Sequence, residues 1–129
     1  MIAVDTNLLV RLLTKDDLSQ AKRAAKIMES DDIFIPKTVK LETEWVLRHA
    51  YGITKEAILS GFQKMIGLPN VRVEDQQCVF QAISWYESGL DFADALHLVS
   101  SMKADKFATF DNAFIKKARK LISIDITLP

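Results

Sequence analysis

Short, nearly continuous apolar runs alternate along this chain with longer stretches of helical period, and no other feature limits its fold so strongly. Strands are expected at residues 2 to 5, over Asp32-Ile33-Phe34-Ile35-Pro36, at Val71-Arg72-Val73, at 107 to 110 and near Leu121 to Ile126. Between them, helices are expected from Asn7 to Leu13, from Asp17 or Ser19 to about Glu29, and from about Lys37 to Ala50. Further helices run from a Thr54 cap to the break at Leu68-Pro69-Asn70, from Asp75 to Tyr86, from an Asp91 cap to about Ala104, and from Asn112. Strands that are apolar throughout, rather than alternating, belong to sheets covered on both faces. The expected class is therefore α/β, with a parallel sheet between helices.

A chain of 129 residues has the size of one ordinary domain, and we expect a single domain over 1–129. No apolar run approaches the roughly 20 residues of a membrane helix. The start, Met1-Ile2-Ala3-Val4-Asp5, does not have the form of a secretion signal, and the lone Cys78 has no internal disulfide partner. Both point to a reducing cytoplasm. Seventeen basic side chains balance 17 acidic ones, so total charge does not advertise a polyanion partner. Between Lys103 and Lys120, however, Lys103, Lys106, Lys116, Lys117, Arg119 and Lys120 face only Asp105 and Asp111, a local basic excess suited to phosphates.

Four acids stand out by position. Asp5 and Asp111 each end an expected strand, and at the carboxyl edge of a parallel sheet, where ligands usually bind, adjacent strands bring such residues together. Glu42 projects onto the arc of Val39, Leu41, Trp45, Val46 and Ala50, where a carboxylate needs a partner; His49 shares that arc. Glu44, by contrast, is expected on the surface, paired with Arg48 at the i,i+4 spacing. Asp94 lies in a first helical turn after Asp91. Asp5 and Asp94 also have plain structural uses, as a helix cap and as part of a capping box. Asn112 is the expected cap of the last helix, which leaves Asp111 for another task. At about 5 Å and an effective dielectric of about 20, two carboxylates repel by roughly 3 kcal/mol, so a cluster of them must take up protons or a cation.

Other chemistries fit poorly. His49, His97 and Cys78 lack a zinc-binding spacing, and the glycines at 52, 61, 67 and 89 form no phosphate-cradling loop. Trp45, Trp85 and Phe62 recur at helical spacing, as core residues do more often than base-stacking platforms.

Four segments in register span nearly the whole chain: Val4-Asp5-Thr6-Asn7, Leu41-Glu42-Thr43-Glu44-Trp45-Val46-Leu47-Arg48, Asp91-Phe92-Ala93-Asp94-Ala95-Leu96-His97 and Ala108-Thr109-Phe110-Asp111. In these the chain resembles PIN-domain ribonucleases, and most closely the VapC-type toxins of toxin–antitoxin pairs. The resemblance implies a three-layer α/β/α sandwich with a mostly parallel central sheet. It implies a Mg²⁺ or Mn²⁺ site of Asp5, Glu42, Asp94 and Asp111, with Asp5 and Asp94 as direct ligands and Thr6, Asn7 and Thr109 as supporting polar groups. It also implies a homodimer and a small antitoxin protein. Arg11, Lys15, Lys37, Lys40, Lys116 and Lys117 are candidates to hold the RNA backbone, a contact that carries no sequence information.

Two other classes use similar residues. A metal-dependent phosphatase also places an aspartate at a strand's end, but the second aspartate usual two residues later is here Asn7. A non-catalytic module that binds RNA or protein would keep the fold and the acids without cutting.

Overall fold

Residues 1–129 are all described by a computed structural model, and the chain divides into two compact units, Met1–Gln76 and Gln77–Pro129. The first holds β1 (Ile2–Ala3), α1 (Thr6–Thr14), α2 (Leu18–Ser30), β2 (Ile33–Ile35), α3 (Lys37–His49), α4 (Lys55–Ile66) and β3 (Val71–Val73). Its strands form one parallel sheet in the order β1-β2-β3, with Ile2 opposite Ile33 and Ile33 opposite Val71. Parallel neighbours require long crossovers, and the helices between the strands supply them. Ile33, Ile35, Leu9, Leu47, Ile58 and Phe62 form a nearly solvent-free core. Thr54 caps α4 as expected, accepting from the Ala57 amide, and of the two candidates Asp17 and Ser19 it is Asp17 that caps α2, accepting from the Gln20 amide. Gly52, at φ +62, turns the chain after α3 in a conformation that disfavours side chains.

The second unit runs through α5 (Gln76–Glu87), whose first residue closes the first unit, then α6 (Phe92–Val99), β4 (Lys106–Ala108), α7 (Asn112–Arg119) and β5 (Asp125–Thr127). Strands β4 and β5 pair in parallel, with Phe107 opposite Ile126. Val79, Ala82, Phe92, Ala95, Leu98 and Ala118 are fully buried.

The parallel α/β class expected from the alternation is the class observed. Two local expectations need correction. Helix α6 stops at Val99 rather than Ala104, where the Ser101 hydroxyl donates to the His97 carbonyl at 2.7 Å and competes with the helical ladder.

The largest correction concerns α3. Its buried face is Lys40, Thr43, Glu44 and Leu47, at i, i+3, i+4 and i+7, while Glu42, Trp45 and His49 lie on the exposed side. The hydrophobicity of single residues misleads here because packing buries charged side chains along with apolar ones. The Glu44 carboxylate, 1% exposed, accepts from Arg48 Nε at 2.8 Å and from a second guanidinium nitrogen at 3.3 Å, a forked ion pair of the strong kind. Thr43 donates to the Val39 carbonyl at 2.7 Å. The Lys40 ammonium sits 4.0 Å from the centroid of the Phe62 ring and 3.8 Å from Met65 Sδ. Burial holds its pKa down at about 7.

Candidate functional site

Within the first unit, Asp5 follows β1 at the carboxyl edge of the sheet and caps α1, its Oδ1 accepting from the Leu8 amide at 3.0 Å. Glu42 reaches the same helix from α3: the buried Thr6 hydroxyl donates a short hydrogen bond to its Oε1. His49 is not its hydrogen-bond partner; that ring stacks against Trp45 instead, with centroids 4.8 Å apart. Asp5 and Glu42 are therefore both tied to the first turn of α1, one through its own cap and the other through Thr6.

Within the second unit, Asp91 caps α6, its Oδ2 accepting from the Asp94 amide at 3.3 Å. Asp94 is half-buried, and its carboxyl is pushed above its ordinary value first by burial, then by the charges of Asp91 and Asp111; His97 and Lys117 pull the other way. Asp111, not Asn112, caps α7, accepting from the Phe114 amide at 3.0 Å. Asp94 and Asp111 are thus within electrostatic reach of each other. The expected role of Asn112 fails because Asp111 has the extended backbone that a cap requires, φ −83 and ψ 98, and Asn112 is already the first residue of the helix. Thr109 supports Asp111 by accepting its backbone N–H at 3.1 Å.

Each unit holds two of the four acids, and no three acidic, histidine or cysteine side chains are gathered into metal-binding geometry. The donor set still suits a hard divalent cation: the groups are carboxylates, and in the second unit like charges raise the proton affinity of Asp94, a strain that a cation relieves.

The basic candidates sort by burial. Lys40 is withdrawn as an RNA contact because it is 0% exposed beneath Phe62. Lys37 forms an ion pair with Asp75 at 2.6 Å, and Arg11 binds Asp16, Gln20 and the Tyr51 hydroxyl. Lys15, Lys116 and Lys117 are exposed. Trp45 corrects the expectation that the aromatic residues are core: it is 56% exposed, whereas Trp85 and Phe62 are buried. Asp91, passed over in the sequence as a plain cap, is the residue whose charge most raises Asp94. Its spacing three residues before Asp94 was the available signal. A surface cavity of about 760 Å³ is lined by Asp31, Asp32, Asn70 and their neighbours at the amino ends of β2 and β3 and contains none of the four acids. It lies at the edge opposite to that where α/β sheets bind ligands.

Residues 2–120 match the model of the PIN domain family, and the chain belongs to that family. PIN domains are typically metal-dependent nucleases, so at family level this is a nuclease of the hydrolase class. A comparison with curated proteins found no match. No helix is long and apolar enough to cross a membrane.

Proposed function

We propose that this protein is a Mg²⁺- or Mn²⁺-dependent endoribonuclease and the toxin of a toxin–antitoxin pair. The observation that carries the nuclease reading is the family match over 2–120, which includes Asp5, Glu42, Asp94 and Asp111. The toxin role, a homodimer, a small antitoxin partner and a cytoplasmic setting rest on the resemblance of the four segments quoted above.

Asp5, Glu42, Asp94 and Asp111 would hold the ion through carboxylate oxygens, the hard donors that suit Mg²⁺ or Mn²⁺. Bound there, it supplies an activated water for attack on a phosphodiester and stabilises the departing oxygen. The chain's own residues prepare for this. Thr6 fixes one Glu42 oxygen and leaves the other for a ligand. The Leu8 amide does the same for Asp5, as does the Phe114 amide for Asp111. Asn7, exposed beside Asp5, is a supporting polar group, and Lys15, Lys116 and Lys117 are phosphate contacts that position RNA without reading its sequence.

The test is incubation of the purified protein with total cellular RNA, with and without Mg²⁺ or Mn²⁺, beside Asp5→Asn, followed by mapping of new ends. Asparagine also caps helices well, so this variant keeps α1 and removes only charge. Cleavage that needs the ion and disappears in Asp5→Asn is the expected result. Undiminished cleavage by the variant overturns the proposal, and turnover of small phosphomonoesters but not RNA replaces it with a phosphatase.

A further inference from the structure

Two large rings stand in water beside the acids. On the exposed side of α3, Trp45 lies three residues beyond Glu42, about 4.5 Å along the helix axis, and is 56% exposed with His49 stacked against it. In the second unit Phe110, the most exposed large apolar side chain at 77%, directly precedes Asp111. Keeping such rings in water is unfavourable. The exposed neighbours of Trp45 on its helix face are Thr38, Glu42 and His49, and those of Phe110 in sequence are Asp111 and Asn112. A protein-binding surface needs a contiguous apolar area, whereas a nucleobase needs one accessible π-face near a site for its phosphate.

We propose that Trp45, braced by His49, and Phe110 are stacking platforms for unpaired nucleobases of the RNA substrate. The inference rests on the nuclease reading for its substrate and adds the residues that confine it to unpaired strands. Bases in a duplex are already stacked on each other, so a ring can take one only from a single strand or a loop. Stacking tolerates every base, which makes these residues selective for strandedness rather than for sequence.

Binding, not cleavage, tests this, so that the two proposals can fail separately. The full chain is titrated in chelator with a short unpaired RNA oligonucleotide and with a hairpin of the same composition, reading anisotropy of the labelled RNA and tryptophan emission. Trp85 is buried, so Trp45 is the fluorophore open to quenching. The unpaired RNA should quench it, and Trp45→Ala and Phe110→Ala should each weaken binding by roughly tenfold. Trp45→Phe should retain most of the affinity, and the hairpin should bind weakly and respond to none of the variants. Unchanged affinity in both alanine variants, with RNA still cut by the parent chain, overturns the platforms and leaves the nuclease standing. Ring-dependent binding without cleavage in Mn²⁺ does the reverse. Failure of the parent chain to bind RNA, or loss of self-association in Trp45→Ala at constant RNA affinity, also overturns the platforms, the latter by making α3 a contact between copies.

Discussion

The two units treat buried charge in opposite ways. In the first, the deeply buried groups Lys40 and Glu44 are structural: one lies over the Phe62 ring, the other is forked to Arg48, and the acid assigned to function, Glu42, is exposed and held by Thr6. In the second, Asp94 is only half-buried, yet its neighbours Asp91 and Asp111 add like charge rather than relieve it. Depth of burial therefore does not mark the acids proposed as functional. At Asp94 the distinguishing feature is the like charge of Asp91 and Asp111, whereas the more deeply buried Glu44 is paired with Arg48.

Removing the buried cation gives the largest effect on stability. Lys40 falls from 10.5 to about 7 on folding, so the unfolded chain binds more protons between those values and unfolding free energy rises as pH increases through that window. Below about 7 the full penalty is present, on the order of 5 kcal/mol, and above 10.5 it vanishes. Lys40→Met should be more stable than the parent at pH 7 by a few kcal/mol and should lack the parent's gain between pH 7 and 10, as followed by urea unfolding. A parent curve flat over that range contradicts the buried-cation account.

A smaller effect probes the first unit's acid. Thr6→Val removes the donor to Glu42 while filling the same space, and should slow RNA cleavage roughly 10- to 100-fold, as loss of a ligand's supporting partner does, with about 1 kcal/mol lost in stability. Equal loss of stability with full activity would assign Thr6 to the fold alone. The smallest effect lies in the second unit. Asp91→Asn keeps the cap on α6 but removes a like charge, so the Asp94 carboxyl, followed by NMR titration, should move down toward its ordinary value. On the proposed role of Asp94 as a metal ligand, protons compete with the ion, and the acid limit of metal binding should move down with it.

How far the sequence could be read follows from the same contrast. Strand and helix order, the parallel class and the caps at Asp17, Thr54 and Asp91 were legible because periodicity and capping are local. The face of α3 was not. Lys40, Thr43 and Glu44 bury polar atoms whose partners come from Phe62, Met65, Val39 and Arg48, and a residue-by-residue hydrophobicity count cannot see partners supplied by tertiary packing. The functional role given to Glu42 came from an assumed burial that the fold does not provide; its tie to Thr6 supports the role on different grounds. Strand pairing was also hidden, since a short apolar run such as β4 does not specify its neighbour.

The central claim is that Glu42 and Asp94 are each needed for a divalent ion to bind, and calorimetric titration of Mn²⁺ into the parent chain, Glu42→Gln and Asp94→Asn tests it most directly. We predict saturable binding by the parent that is lost or severely weakened in both variants, each still folded by circular dichroism. Binding that survives intact in either variant would contradict it.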